Sequence, residues 1–217
     1  MLKKASLFGL LLTALTITQT ASKDDVPNIE DGYEKVTCGS VIKLKNTSSS
    51  FKLHSHSINY GTGSGQQSVT GLDSSHDSSS FWIVRAKHGE TCQIGDEIAC
   101  NSIIRLEHLN TQKFLHSHRD HASPLSHQQE VSAFENGDTG DNWMLECNEK
   151  KATVWNREQS VHFKHDETGA YLGMNKKYTF GHPIHGQLEV AAMKSRSKDT
   201  TFSAVEGIYF VEPGASV

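Results

Sequence analysis

Two copies of one tetrapeptide, Leu53-His54-Ser55-His56 and Leu115-His116-Ser117-His118, carry paired imidazoles. Residues i and i+2 of a β-strand share a face, so His54 is expected to point with His56, and His116 with His118. Imidazole is the commonest metal ligand, but two nitrogens leave a site incomplete. A third, divergent copy of the segment offers only Gly173 and Asn175 at these places. The pattern therefore predicts no metal and no other cofactor. It fits a hydrogen-bond cap repeated by duplication, or a surface that meets a ligand.

The segment from Tyr60 to Val69 carries Gly61, Gly63 and Gly65 at alternate positions, followed by Gln66 and Gln67. Glycines there allow backbone N–H groups to approach a ligand closely. The segment lacks the Lys-Ser/Thr ending of a phosphate-binding loop and opens no helix, so it reads as a loop presenting Tyr60 and the glutamine pair. Gln66, Gln128 and Gln187 occupy matching places, with Ser68, Glu130 and Glu189 two residues beyond each. An amide beside an acid or hydroxyl suits sugar hydroxyls or a peptide backbone, and equally suits a self-bonded turn. Catalysis finds little support. No G-x-S-x-G elbow occurs, and nothing marks a pair of carboxylates across a cleft. The chain has 13 histidines, so a Ser-His-Asp combination can always be assembled and carries no weight.

These residues must be positioned by elements that recur. Leu44, Leu106 and Phe163 each stand nine residues before Leu53, Leu115 and Leu172, and Trp82, Trp143 and Phe202 close the copies. A fixed internal period means one structural unit used three times. Short runs such as Val41–Lys45 and Ile103–Glu107 alternate with period two, and clusters of turn formers at 46–50, 110–112 and 166–169 separate them. Helical periodicity is almost absent. The expectation is an all-β chain closed on itself, which removes the edge strands that invite aggregation. One domain over 36–211 is predicted, with repeats at about 36–92, 93–152 and 153–211, a flexible lead-in at 23–35 and a tail at 212–217.

The first 22 residues read as a secretory signal peptide: Lys3 and Lys4, an apolar run from Ala5 to Ile17, and small residues up to Ser22. No later stretch is long and apolar enough to span a membrane. The net charge of −4 and the lack of a basic block exclude a nucleic-acid footprint. Four cysteines in a secreted chain suggest two disulfides. Cys38 and Cys100 open copies one and two, while Cys92 and Cys147 follow their closing strands. The register favours Cys38 with Cys92 and Cys100 with Cys147. The rival joins Cys92 to Cys100 and leaves Cys38 for Cys147. Asn46-Thr47-Ser48 is the one N-x-S/T sequon, in an expected hairpin turn, and makes Asn46 a glycosylation candidate.

The segments Cys38–Leu44, Leu53–His56, Tyr60–Gly71, Ser123–Phe134 and Ala204–Tyr209 together resemble the stromal cell-derived factor 2 family across nearly the whole mature chain. The resemblance implies a β-trefoil built from three MIR repeats, with six barrel strands and three capping hairpins. It implies a non-catalytic accessory of the endoplasmic reticulum lumen that binds a J-domain co-chaperone of the Hsp70 system and keeps unfolded secretory clients soluble, within the unfolded-protein response. A lectin-like, glycan-binding module, secreted or lumenal, is the alternative, although the Q-x-W signature of ricin-type trefoils is absent. Many relatives end in a retrieval tetrapeptide. This chain ends Gly214-Ala215-Ser216-Val217, so retention by a partner or secretion is expected. The surface expected to bind a partner or ligand comprises His54, Ser55, His56, Tyr60, Gln66 and Gln67 in copy one, and His116, Ser117, His118, Gln128 and Glu130 in copy two.

Overall fold

The computed structural model describes residues 29–211 and 214. The signal-peptide segment, residues 23–28 of the lead-in and most of the tail lie outside the described residues. Among the described residues, twelve strands fall four to each repeat. The first repeat holds β1 (Val41–Asn46), β2 (Lys52–Asn59), β3 (Gln67–Leu72) and β4 (Phe81–Ala86). The second holds β5 (Ile103–His108), β6 (Phe114–Ala122), β7 (Gln129–Phe134) and β8 (Trp143–Cys147). The third holds β9 (Val161–His165), β10 (Tyr171–Thr179), β11 (Leu188–Met193) and β12 (Phe202–Ile208). A 3-10 turn precedes the last strand of each repeat, at Ser78–Ser80, Thr139–Asp141 and Lys198–Thr200.

The pairings close into two rings. β1, β4, β5, β8, β9 and β12 pair successively, and β12 returns to β1, giving a six-stranded barrel. The hairpins β2–β3, β6–β7 and β10–β11 cap one end, joined in a triangle by β3–β7, β7–β11 and β11–β3. This is the closed all-β architecture expected from the period, and the β-trefoil that the family resemblance implies. Alternation decides which side chains enter the barrel: in β5, Ile104, Leu106 and His108 are buried and their neighbours are partly exposed. Leu44, Leu106 and Phe163, Leu53, Leu115 and Leu172, and Trp82, Trp143 and Phe202 are all fully buried in one core. Full burial of a side chain of this size contributes about 1.5–3 kcal/mol, so nine such positions explain why the period survives in the sequence.

The base is stapled by two disulfides, Cys38–Cys92 and Cys100–Cys147, each tying the start of a repeat to its end. Residues 33–35, the end of the expected lead-in, are anchored to the body of the fold. Lys35 bridges to Asn156, Arg157 N donates to Glu34 O, and Arg157 Nη1 donates to Tyr33 O. Residues 33–35 are thereby fastened to the third repeat, because their backbone groups complete the connector that enters β9.

Candidate functional site

The histidine pairs sit where β2 and β6 leave the core. Leu53 and Leu115 point into the barrel, and the carbonyl of each accepts the indole N–H of Trp82 or Trp143 at 2.9 and 3.0 Å. The next residue is turned against a 3-10 turn. His54 Nδ1 lies 2.8 Å from Asp77 Oδ2, and His116 Nδ1 lies 2.8 Å from Asp141 Oδ1. The partner rings follow closely, with centroids 5.2 Å apart for His54 and His56, and 4.3 Å apart for His116 and His118. Both pairs therefore do share a face, but His54 and His116 are buried, and only His56 and His118 reach solvent. Burial, and then the neighbouring His54, hold His56 below the ordinary imidazole pKa. For Asp77, burial pushes upward, but hydrogen bonds from Ser80 and His54 outweigh it and lower the carboxyl.

The glutamine and acid positions form a ring of contacts between repeats. β3, β7 and β11 meet around the axis with Ser68 opposite Ser132, Glu130 opposite Ala191, and Glu189 opposite Thr70. Gln66 Oε1 accepts from Ser132, and Gln187 Oε1 accepts from Thr70. Glu130 and Glu189 are almost fully buried. Each carboxylate accepts from a loop of the preceding repeat: Glu130 from Ser64 N and Ser64 Oγ, Glu189 from Leu125 N at 2.6 Å and Ser126 N at 3.0 Å. The glycine-rich loop thus closes on this chain's own Glu130. A Cβ at Gly63, whose φ is +68°, would meet Glu130 Oε2. Tyr60 is buried as well, its hydroxyl 3.0 Å from both the Val69 and Val131 carbonyls, and that burial raises its pKa. Ser55 and Ser117 are buried and accept from Gln67 and Gln129. Of the expected surface, His56, Gln66, His118 and Gln128 remain accessible. Tyr60, Gln67, Glu130, His54, His116, Ser55 and Ser117 are turned into the fold.

Asn46 is the third member of a set the sequence hides. Asn46, His108 and His165 pair with Phe202, Trp82 and Trp143 in the barrel. Each reaches the 3-10 turn of a neighbouring repeat: Asn46 Nδ2 donates to Asp199 O, His108 Nε2 meets Ser79 O, and His165 Nε2 meets Gly140 O, all at 2.8–2.9 Å. Asn46 Oδ1 also accepts from Ser49 N. Asn46 is fully buried, so the reading of Asn46 as a glycan acceptor is corrected: the nitrogen that would carry the sugar is spent inside the turn.

The three seams between repeats are unequal. At the seam of repeats one and two, Lys113 and Glu135 pair at 3.6 Å beside Gln66 and Gln67, leaving a cavity of about 170 Å³. At the seam of repeats two and three, Ala170 and Lys194 stand in their places, and Ala191 replaces the hydroxyl that would meet Gln128. The cleft there widens to about 360 Å³, lined by Arg119, Gln128, Gln129, Thr168 and Lys194. A second cavity, with His118, Arg119 and Glu167, adjoins it. The result is an open groove with two cations, two amides and no acid in its main lining. Sequence reasoning named Gln128 but missed Arg119 and Lys194. The available signal was the change of Glu135 and Ser132 in copy two to Lys194 and Ala191 in copy three.

Among the described residues no helix is long and apolar enough to cross a membrane. The MIR domain family matches residues 51–159. A stromal cell-derived factor 2-like protein of Dictyostelium discoideum is 44% identical, covering 95% of this chain and 99% of its own. Stromal cell-derived factor 2 of Homo sapiens is 47% identical over 80% of this chain and 82% of its own. The crystal structure of the SDF2-like protein from Arabidopsis thaliana superposes with a TM-score of 0.79 at 41% identity, covering 82% of this chain and 98% of that one.

Proposed function

The chain belongs to the stromal cell-derived factor 2 family, and from that premise we propose that it is a non-catalytic accessory of the endoplasmic reticulum lumen. It binds a J-domain co-chaperone of the Hsp70 system and helps keep unfolded secretory clients soluble. The family and the two disulfides are consistent with the secretory pathway.

The observation that carries the binding role is the asymmetry of the seams. A trefoil with three equal seams has no preferred face. Here the seam of repeats two and three has neither the ion pair nor the hydroxyl contact of the seam of repeats one and two, and Arg119, Gln128, Gln129 and Lys194 line the groove that results. Side-chain amides recognise peptide groups, and cations at a rim draw in acidic segments. The polar residues deeper in the fold support a binding reading over a catalytic one: Glu130, Glu189, His54 and His116 are engaged in internal hydrogen bonds. Accordingly the partner sits on His118, Arg119, Gln128 and Lys194, with His56 and Gln66 on the adjoining faces.

The test is recovery of tagged mature protein from its own secretory cells, with lumen and medium separated. Co-purification from the lumen with a J-domain protein and an Hsp70 is expected. Recovery from the medium without chaperones, together with saturable binding to mannose-type glycans that free sugar competes away, would replace this reading with the lectin-like one.

A further inference from the structure

Repeat two holds a cluster that the histidine spacing alone does not reveal. His116, His118 and Asp138 each offer one donor atom, and these atoms lie within 4.8 Å of one another. The third donor arrives from outside the strand: Asp138 caps the 3-10 turn that packs on β6, accepting from Gly140 N at 2.7 Å. Asp138 Oδ1 lies 3.6 Å from His116 Nδ1, and Asp138 Oδ2 lies 3.8 Å from His118 Nε2. In a tetrahedral Zn²⁺ site with ligand bonds of about 2.0–2.1 Å, donors stand roughly 3.3 Å apart. The two Asp138 contacts are within about half an ångström of that spacing, and the whole cluster, within 4.8 Å, would close by up to about 1.5 Å around an ion.

Two further features point to a cation. Glu167 lies 3.7 Å from His118 Nδ1, the ring nitrogen other than the one that faces Asp138, the arrangement that orients a metal-bound histidine. Gly140 makes room for both rings, since a Cβ there would stand 2.7 Å from His116 Cε1 and 2.8 Å from His118 Cε1. The equivalent turn residues, Ser79 and Asp199, carry side chains. The other repeats lack the set. In repeat one, Ser80 replaces Asp141, and Asp77 is bonded to His54; in repeat three, Gly173 and Asn175 replace the histidines.

We propose that His116, His118 and Asp138 form a site for a divalent transition-metal cation of the Zn²⁺ type, with Glu167 orienting the His118 imidazole. The site opens beside the cavity that contains Arg119. A bound cation would lock the 138–141 turn to β6 and add positive charge next to the groove. The inference does not depend on the chaperone reading.

The experiment uses the tag-free chain from Lys23 onward, both disulfides intact, stripped with chelator. Zn²⁺ is titrated by calorimetry, and Co²⁺ is followed by its visible absorption. One equivalent of Zn²⁺ and the intense bands of tetrahedral Co²⁺ are expected. His118→Ala and Asp138→Asn should each weaken uptake by well over tenfold, and Glu167→Gln by about tenfold, while His56→Ala in repeat one leaves it unchanged. His118 and Asp138 side chains are 38% and 47% exposed, and asparagine preserves the cap, so these variants should fold; far-ultraviolet circular dichroism verifies it. No saturable uptake, or uptake that persists when His118→Ala and Asp138→Asn are combined, overturns the proposal and assigns any residual binding to scattered surface histidines.

Discussion

Replacing Glu189 with alanine tests whether the acids beside the axis clamp the loops. Glu189 is buried and accepts from two backbone amides, Leu125 N and Ser126 N. A hydrogen bond to a charged group contributes about 1.5–3 kcal/mol, which bounds the loss at roughly 3–6 kcal/mol for the pair. Leu125 is 36% exposed, so water can reach the freed amides, and the lower end, about 3 kcal/mol, is expected. For a domain of this size each kcal/mol moves the melting temperature by about 2–4 °C, so Tm should fall by roughly 6–12 °C. The matched comparison is Ser68→Ala, the same place in repeat one, where a single hydroxyl donates to Ile58 O and about 1 kcal/mol is at stake. Thermal and guanidinium unfolding followed by the fluorescence of Trp82, Trp143 and Trp155 reads both. If Glu189→Ala melts no lower than Ser68→Ala, the carboxylate does not hold the loop and the clamp argument is wrong.

Further outcomes follow from the same geometry. Cys100→Ser with Cys147→Ser opens a loop with a sequence separation of 47, and chain entropy sets the loss at up to about 4 kcal/mol, read as a lower guanidinium midpoint. His108 and His165 are held by burial below the ordinary imidazole pKa of 6.5. The folded state disfavours their protonation, so stability is full above about pH 6.5 and falls as the pH drops below it. His108→Asn, which places the Asn46 side-chain type in repeat two, should flatten that slope between pH 7 and 5 in denaturation curves. Gly63→Ala, which drives a Cβ into the Glu130 carboxylate at a positive φ, should lower Tm by several degrees and leave Gly65→Ala, with open space around it, the milder change. Asn46→Gln expressed in secretory cells should show no mobility shift attributable to a lost glycan, and should lower stability through the lost Asp199 and Ser49 bonds.

What the sequence makes legible is whatever the threefold barrel must repeat in kind. The leucines at 53, 115 and 172 keep register because any polar or smaller residue there would leave a cavity in one core. The disulfide pattern follows the same register. Polar positions are harder to read, because their partners come from other repeats. Glu130 looks like a ligand contact until Ser64 is seen folded onto it. Asn46, His108 and His165 do one job with different chemistry, so no residue-type pattern joins them. Asp138 lies twenty or more positions from the histidines it approaches, and only the packing of the 3-10 turn on β6 brings it there. The open seam is a matter of differences between copies, Lys113 against Ala170, Glu135 against Lys194 and Ser132 against Ala191, which register shows only after the pairing of β7 with β11 is known.

The central claim is that the groove between repeats two and three receives the partner. Its most direct test is the affinity of the mature protein for the purified lumenal J-domain protein it recovers, compared with Arg119→Glu and Lys194→Glu. Each charge reversal should weaken binding, and the two combined should weaken it further, with the fold unchanged by circular dichroism. Equal affinity for the wild-type chain and the double reversal would contradict it.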